Sequence, residues 1–225
     1  MVWLLYPRRQ RRVRHHLCLQ RSVTHLKGIQ MQESDFVNRY SGVAMLLHWL
    51  IAVLIIVNVC LGIGHDYAPD DAQRRIIDLH KSIGITVLGL AIMRLLWRMV
   101  RRPPDLPREM PVWEKKSAHL VHILLYCLIF LLPLSGWLHD SAWKDAATHP
   151  MHLFGLFEWP RIGFIEHVEP RERERLHDQF GALHTWLGYI LYVLFTAHVL
   201  GALKHQFIDH QPELQRMWPR RSTGR

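Results

Sequence analysis

Residues 180–203 read FGALHTWLGYILYVLFTAHVLGAL: 24 residues with no Asp, Glu, Lys or Arg, and with histidine at positions 184 and 198. At ~1.5 Å rise per residue, about 20 helical residues cross a hydrocarbon core of ~30 Å, so this stretch is long enough to span a bilayer. Three further stretches share its character. Residues 43–64 (VAMLLHWLIAVLIIVNVCLGIG) and 117–138 (SAHLVHILLYCLIFLLPLSGWL) carry no charge, and residues 76–99 keep Asp78, Lys81, Arg94 and Arg98 near their ends. A helix of a water-soluble bundle carries a polar face, and none of these does. The alternative, buried core helices of a soluble protein, is disfavoured by their length. The reading is an all-α integral membrane bundle of four helices.

The charge distribution supports this division. Across 225 residues, 28 Lys+Arg stand against 19 Asp+Glu, a net +9, and the pI is near 9.9. Seven of those cations lie in residues 1–30, which hold no acid, so the other 195 residues carry 21 cations against 19 acids, only +2. The basicity belongs to an arm, and no nucleic-acid partner is expected. With 49% apolar residues and three cysteines, the chain is neither disordered nor a disulfide scaffold. Residues 1–37 read as a basic cytoplasmic arm, 38–210 as the helical domain and 211–225 as a basic tail. Three readings of the arm stay open: attraction to anionic lipid, a nucleic-acid tail, or translation from Met31, the one preferred.

Lys/Arg bias in short loops sets orientation. The second connection carries Arg101, Arg102, Arg108, Lys115 and Lys116, and the tail carries Arg216, Arg220, Arg221 and Arg225. The first offers Arg74 and Arg75 against Asp66, Asp70 and Asp71. Both termini are therefore expected on the cytoplasmic side, with the first and third loops outside. The third loop has turn signals at His149-Pro150 and Trp159-Pro160, and the alternating charges of 171–178 (RERERLHD) read as a solvated lead-in to the fourth helix.

Ionisable residues inside a span are costly to keep there, which makes them functional candidates. The orientation places His80 and His184 at the outer depth, His48 and His198 at the inner one. Fourteen residues separate His184 from His198, a rotation of ~1400°, close to four whole turns, and a rise of roughly 21 Å. One helix thus offers a ligand to each of two stacked sites. Two imidazoles on opposing helices, without thiolate or carboxylate, suit an axially ligated haem. Zinc would want four ligands. The chain has no Cys-x-x-Cys-His, so the expected group is haem b, two per chain. A lone histidine is more often a hydrogen-bonded core residue; four at two matched depths are harder to explain so.

Small and polar neighbours extend the candidate set. Gly84 and Gly188 lie one turn after His80 and His184, and Gly62 lies fourteen after His48, suiting faces without bulk beside a flat macrocycle. Ordinary helix packing explains each glycine nearly as well. Arg94, fourteen after His80, could pair with a haem carboxylate, bind quinone, or snorkel to the interface. His119, His122 and His205 could bond a macrocycle carboxylate or quinone, or serve as spare inner ligands. Trp49, Trp186 and Tyr189 read as interfacial anchors or macrocycle packing, and most loop histidines as solvated. Lys81, Lys144 and Arg161 could attract an anionic donor, or form a solvated face.

Several segments together resemble the bacterial cytochrome b561 family of four-helix di-haem membrane cytochromes. They are Tyr40-Ser41 followed by LLHW around His48, DLHKSIG around His80, AIMRLLWR containing Arg94, SAHLVHILLY, LPLSGWLHDSA, HLFGLFEWP, LHTWLGYILYVLFTAHVLGALKHQF and MWPR, spanning about residues 38–220. The resemblance implies four axial ligands at His48, His80, His184 and His198, and electron transfer involving ubiquinone. It also brings in superoxide as the donor of at least one member. The expected function is transfer of electrons between a periplasmic-side donor and the quinone pool, with lipid and a redox partner protein as contacts. The alternative is a haem-bearing anchor subunit of a larger dehydrogenase or hydrogenase.

Overall fold

The computed structural model describes residues 39–101, 104, 111–210 and 213–218. The expectations for the basic arm and for most of the tail fall outside these residues. Within them, four long helices run in order: α1 (Gly42–Gly64), α2 (Asp70–Val100), α3 (Val112–Ser141) and, after the third loop, α5 (Pro170–Phe207). The loop itself contains a two-residue strand β1 (His152–Leu153) paired antiparallel with β2 (Phe157–Glu158), then a one-turn helix α4 (Gly163–Glu166). A one-turn helix α6 (Glu213–Arg216) lies near the end of the described residues.

Each helix begins on a recognisable signal. Ser41 caps α1, its Oγ accepting from the Ala44 N–H at 3.3 Å, and the Trp97 indole of α2 donates to the same oxygen at 2.8 Å. Pro69 and Pro111 precede α2 and α3. Glu169 caps α5 by accepting from Arg171 and Glu172 N–H, with Pro170 in the first helical position, where its missing donor costs nothing. The helices outrun the uncharged stretches because their charged ends continue as helix beyond the lipid-facing part. Residues 171–178 are thus the first turns of α5.

All four long helices are long and apolar enough to cross a membrane. Only 6–22% of their most apolar windows is buried inside the protein, and Leu46, Val193 and Leu200 lie well exposed on their flanks, as lipid-facing side chains do. The chain is a four-helix membrane bundle. Ile51, Ile83 and Val87 form its buried core between α1 and α2, with Leu54, Ile55, Leu61 and Leu90 packed around them. Close packing joins α3 to α5, α1 to α2, and α2 to α3, whereas no comparable packing joins α5 to α1 or α2. A gap therefore runs between α5 and the α1–α2 pair.

The third loop is fastened over one end of that gap. Ser82 of α2, 1% exposed, donates to the Asp78 carbonyl at 2.8 Å and accepts the Phe154 N–H at 2.9 Å, pinning the β-hairpin. The hairpin turn holds Phe154 and Gly155 at φ 52° and 72°, the left-handed conformation that mirror-image turns need. Asp140 binds Lys81 at 2.6 Å and Arg161 at 2.9 Å. Lys81 and Arg161, expected as donor-attracting or solvated cations, instead both pair with this buried carboxylate.

Candidate functional site

Two histidine pairs meet across the gap. At the third-loop end, His80 of α2 faces His184 of α5 with ring centroids 6.0 Å apart and planes at 82°. At the other end, His48 of α1 faces His198 of α5 at 6.2 Å and 81°. In both cases the helices that carry the rings are ones that do not pack on each other. The His80 and His184 imidazoles line a cavity rather than a packed core.

The His80–His184 pair shows why its rings point as they do. His80 Nδ1–H donates to the Asn58 carbonyl of α1 at 3.0 Å. His184 Nδ1–H is directed to the Leu132 carbonyl of α3 at 3.1 Å and to the Ser135 hydroxyl oxygen at 3.0 Å, while Ser135 itself donates to Leu132 at 2.9 Å. Committing Nδ1–H to a carbonyl fixes the tautomer and leaves the Nε2 lone pair free for a metal. A glycine follows four residues after each acceptor, Gly62 after Asn58 and Gly136 after Leu132. A Cβ there would stand 3.1 Å from the His80 ring or 3.2 Å from that of His184. Gly62 and Gly136 are the openings through which the two imidazoles reach the neighbouring backbone.

A cavity of about 900 Å³ surrounds this pair and is lined by Gly62, Gly84, Gly136 and Gly188 among apolar side chains such as Ile55 and Leu191. That volume lies in the ordinary range for a cofactor site. In its wall Asn58 Oδ1 is buried without a partner among the described residues. The residues fit a metal in one further respect, since the 6.0 Å between ring centroids leaves room for one ion that a nitrogen of each imidazole would hold.

At the opposite end a third imidazole joins the pair, with His122 of α3 at 5.2 Å from His198. Arg94 donates through Nη1 to the Ala44 carbonyl at 3.0 Å and through Nε to the Tyr126 hydroxyl at 3.1 Å. These bonds turn the guanidinium into the bundle instead of letting it snorkel. Trp49 donates to the Met217 carbonyl at 2.8 Å and packs edge-on against Trp218 at 5.5 Å, so α6 and the residues after it close this end. His119 is exposed. His205 is drawn into a charged cluster, its Nδ1–H donating to Asp209 at 2.8 Å, with Lys204 bridging Asp209 at 2.7 Å and Glu114 at 2.9 Å.

The family assignment can be set beside this geometry. A family model described as prokaryotic cytochrome b561 matches residues 39–220. The chain belongs to the prokaryotic cytochrome b561 family. Among similar proteins, "Cytochrome b561 homolog 2" of Escherichia coli (strain K12) is 32% identical over 188 residues, covering 82% of this chain and 94% of that protein. "Cytochrome b561 homolog 1" of the same strain is 25% identical over 186 residues, 82% of this chain and 99% of that one. "Probable superoxide oxidase CybB" of Yersinia pestis is 28% identical over 188 residues, 81% and 97%. As a family member, the protein is a b-type haem cytochrome of a bacterial membrane, engaged in electron transfer.

For a member of this family, the sequence reading missed several parts of the His80–His184 site. Gly136, Ser135 and Asn58 support the rings from other helices, and nothing in their own spacing announces it. His139 and His177, grouped with the solvated loop histidines, are half-buried and stacked on each other.

Proposed function

We propose that the protein is a di-haem cytochrome that passes single electrons between a donor at the periplasmic face and the ubiquinone pool. The observation that carries this reading is the pair of facing imidazoles at 6.0 and 6.2 Å, repeated at two levels about 21 Å apart along α5. His80 and His184 would hold the outer haem, and His48 and His198 the inner one. Haem b, once bound, would supply a one-electron redox centre. The protein's part is to fix the imidazole nitrogens, exclude water and set the surrounding charge. The Asn58 and Leu132 carbonyls polarise the outer imidazoles through Nδ1–H, which makes Nε2 a stronger donor. Arg94 brings a fixed positive charge to the inner pair, which favours reduction there. Such a charge draws an electron inward.

Superoxide is the proposed donor, supported by the name of the Yersinia pestis relative. Two superoxide ions would give up one electron each and leave as dioxygen, and one quinone would take both electrons with two protons to become quinol. The quinone is placed at the inner end, beside Arg94, His119 and His122. Cytoplasmic termini are supported by the Lys/Arg bias of the loops, and an inner-membrane location by the family. The test is kinetic. Superoxide generated against the purified protein is expected to reduce its haem rapidly, and added ubiquinone to reoxidise it. Haem that superoxide leaves oxidised would overturn the donor assignment.

A further inference from the structure

We propose that His139 and His177 bind the carboxylate edge of the macrocycle held between His80 and His184. This assignment rests on the di-haem reading above. The two rings stack with centroids 3.9 Å apart and planes at 21°. His139 Nδ1–H donates to the His177 carbonyl at 2.9 Å, and His177 Nδ1–H donates to the His139 carbonyl at 3.0 Å. This reciprocal lock joins α3 to α5. It depends on a third glycine in the arrangement seen twice before, since Gly181 follows His177 by four residues and a Cβ there would stand 2.9 Å from His139 Cε1.

The lock commits both Nδ1 atoms and leaves both Nε2 atoms, for which the described residues supply no partner. Both rings line the cavity that also contains His80 and His184. His139 comes three residues after Gly136, so it stands ~4.5 Å nearer the third loop than the glycine beneath the His184 ring. His177, seven residues before His184, stands ~10.5 Å nearer along α5. The pair therefore marks the polar end of a cavity whose middle is apolar.

A b-type macrocycle has the same polarity, hydrocarbon on most of its rim and two carboxylates on one edge. Burying those carboxylates without a partner would be costly, so that edge belongs at the polar end. The other basic side chains that line the cavity already have acidic partners. Lys81 binds Asp140, Arg74 binds Asp78 and His65 binds Asp66. Asp140 itself, next to His139, is neutralised by Lys81 and Arg161 and does not compete. With Nδ1–H on a carbonyl, Nε2 is the atom of each ring left to share a proton with a macrocycle carboxyl in one charge-assisted bond. A second metal is a poor alternative. Nearly parallel stacked rings send their Nε2 lone pairs side by side, not onto one ion.

The test compares haem b with its dimethyl ester, which lacks the free carboxylates. The full-length protein is loaded with either compound, and transfer to excess apoglobin is timed. The phase absent from His184→Ala identifies the outer site. In the wild type the ester is expected to leave at least about tenfold faster than native haem, the equivalent of one charge-assisted hydrogen bond. His139→Phe and His177→Phe, which keep a stacked ring, should each lower that ratio, the double variant should bring it to near one, and His139→Gln, which keeps a donor, should retain part of it. An unchanged ratio in both Phe variants, or no discrimination by the wild type, would overturn the assignment. A wild type with no outer haem would overturn the di-haem reading itself, and this assignment with it.

Discussion

A hydrogen atom in place of a methyl group decides whether an imidazole reaches its carbonyl. At Gly62 and Gly136 an added Cβ would press on the His80 and His184 rings at 3.1 and 3.2 Å, and valine would drive two more carbons into the same space. Gly136→Val is expected to weaken outer haem binding roughly 10- to 100-fold, the usual effect of losing a ligand's supporting bond. Gly89→Val, where an added Cβ meets nothing within 4 Å, should leave it unchanged. Haem retention during purification reads both. At this scale the facing pairs were legible, since His184 and His198 share a face whatever surrounds them. Gly136, Asn58 and the His139–His177 stack were not. Their roles come from contacts between helices, and nothing on their own helices distinguishes them from ordinary packing residues.

Elements are held together at the bundle's two ends by charge. Asp140 and Arg161 are 5% and 7% exposed at their side chains, so Asp140→Leu strands a buried guanidinium. The expected cost is about 3–5 kcal/mol, seen as a lower Tm in detergent and faster proteolysis of the third loop. A Tm equal to that of the wild type would contradict the role given to this pair. At the other end, Lys204 first and then His205 hold the Asp209 carboxyl below the ordinary carboxylate range. A depressed carboxyl stabilises the fold above its unfolded pKa and loses that contribution as pH falls through its folded one. The Tm difference between wild type and Asp209→Asn should therefore be full at pH 7 and close below about pH 4. Widening on acidification would contradict it. The four spans were readable because lipid demands about 20 apolar residues. The helix ends were not, because Asp70–Asp71 and RERER continue as helix where charge reads as loop. The hairpin β1–β2 was also hidden, since it depends on Ser82, some 70 residues earlier in the chain.

For the whole molecule, the net +9 says little, because most of it belongs to residues 1–30. What matters is the side on which the remaining cations lie. A reporter active only outside the cytoplasm should be inactive when fused after Arg225 and active when inserted at Gly155. The reverse pattern would invert both haem assignments. The bundle's central property is that α5 stands apart from α1 and α2 at two levels and serves both with one histidine. Haem content per chain measures this most directly. The account predicts about two haems b in the wild type and about one in each of His184→Ala and His198→Ala, with different spectra remaining in the two variants. A wild-type ratio of about one, or the same residual spectrum in both variants, would contradict it.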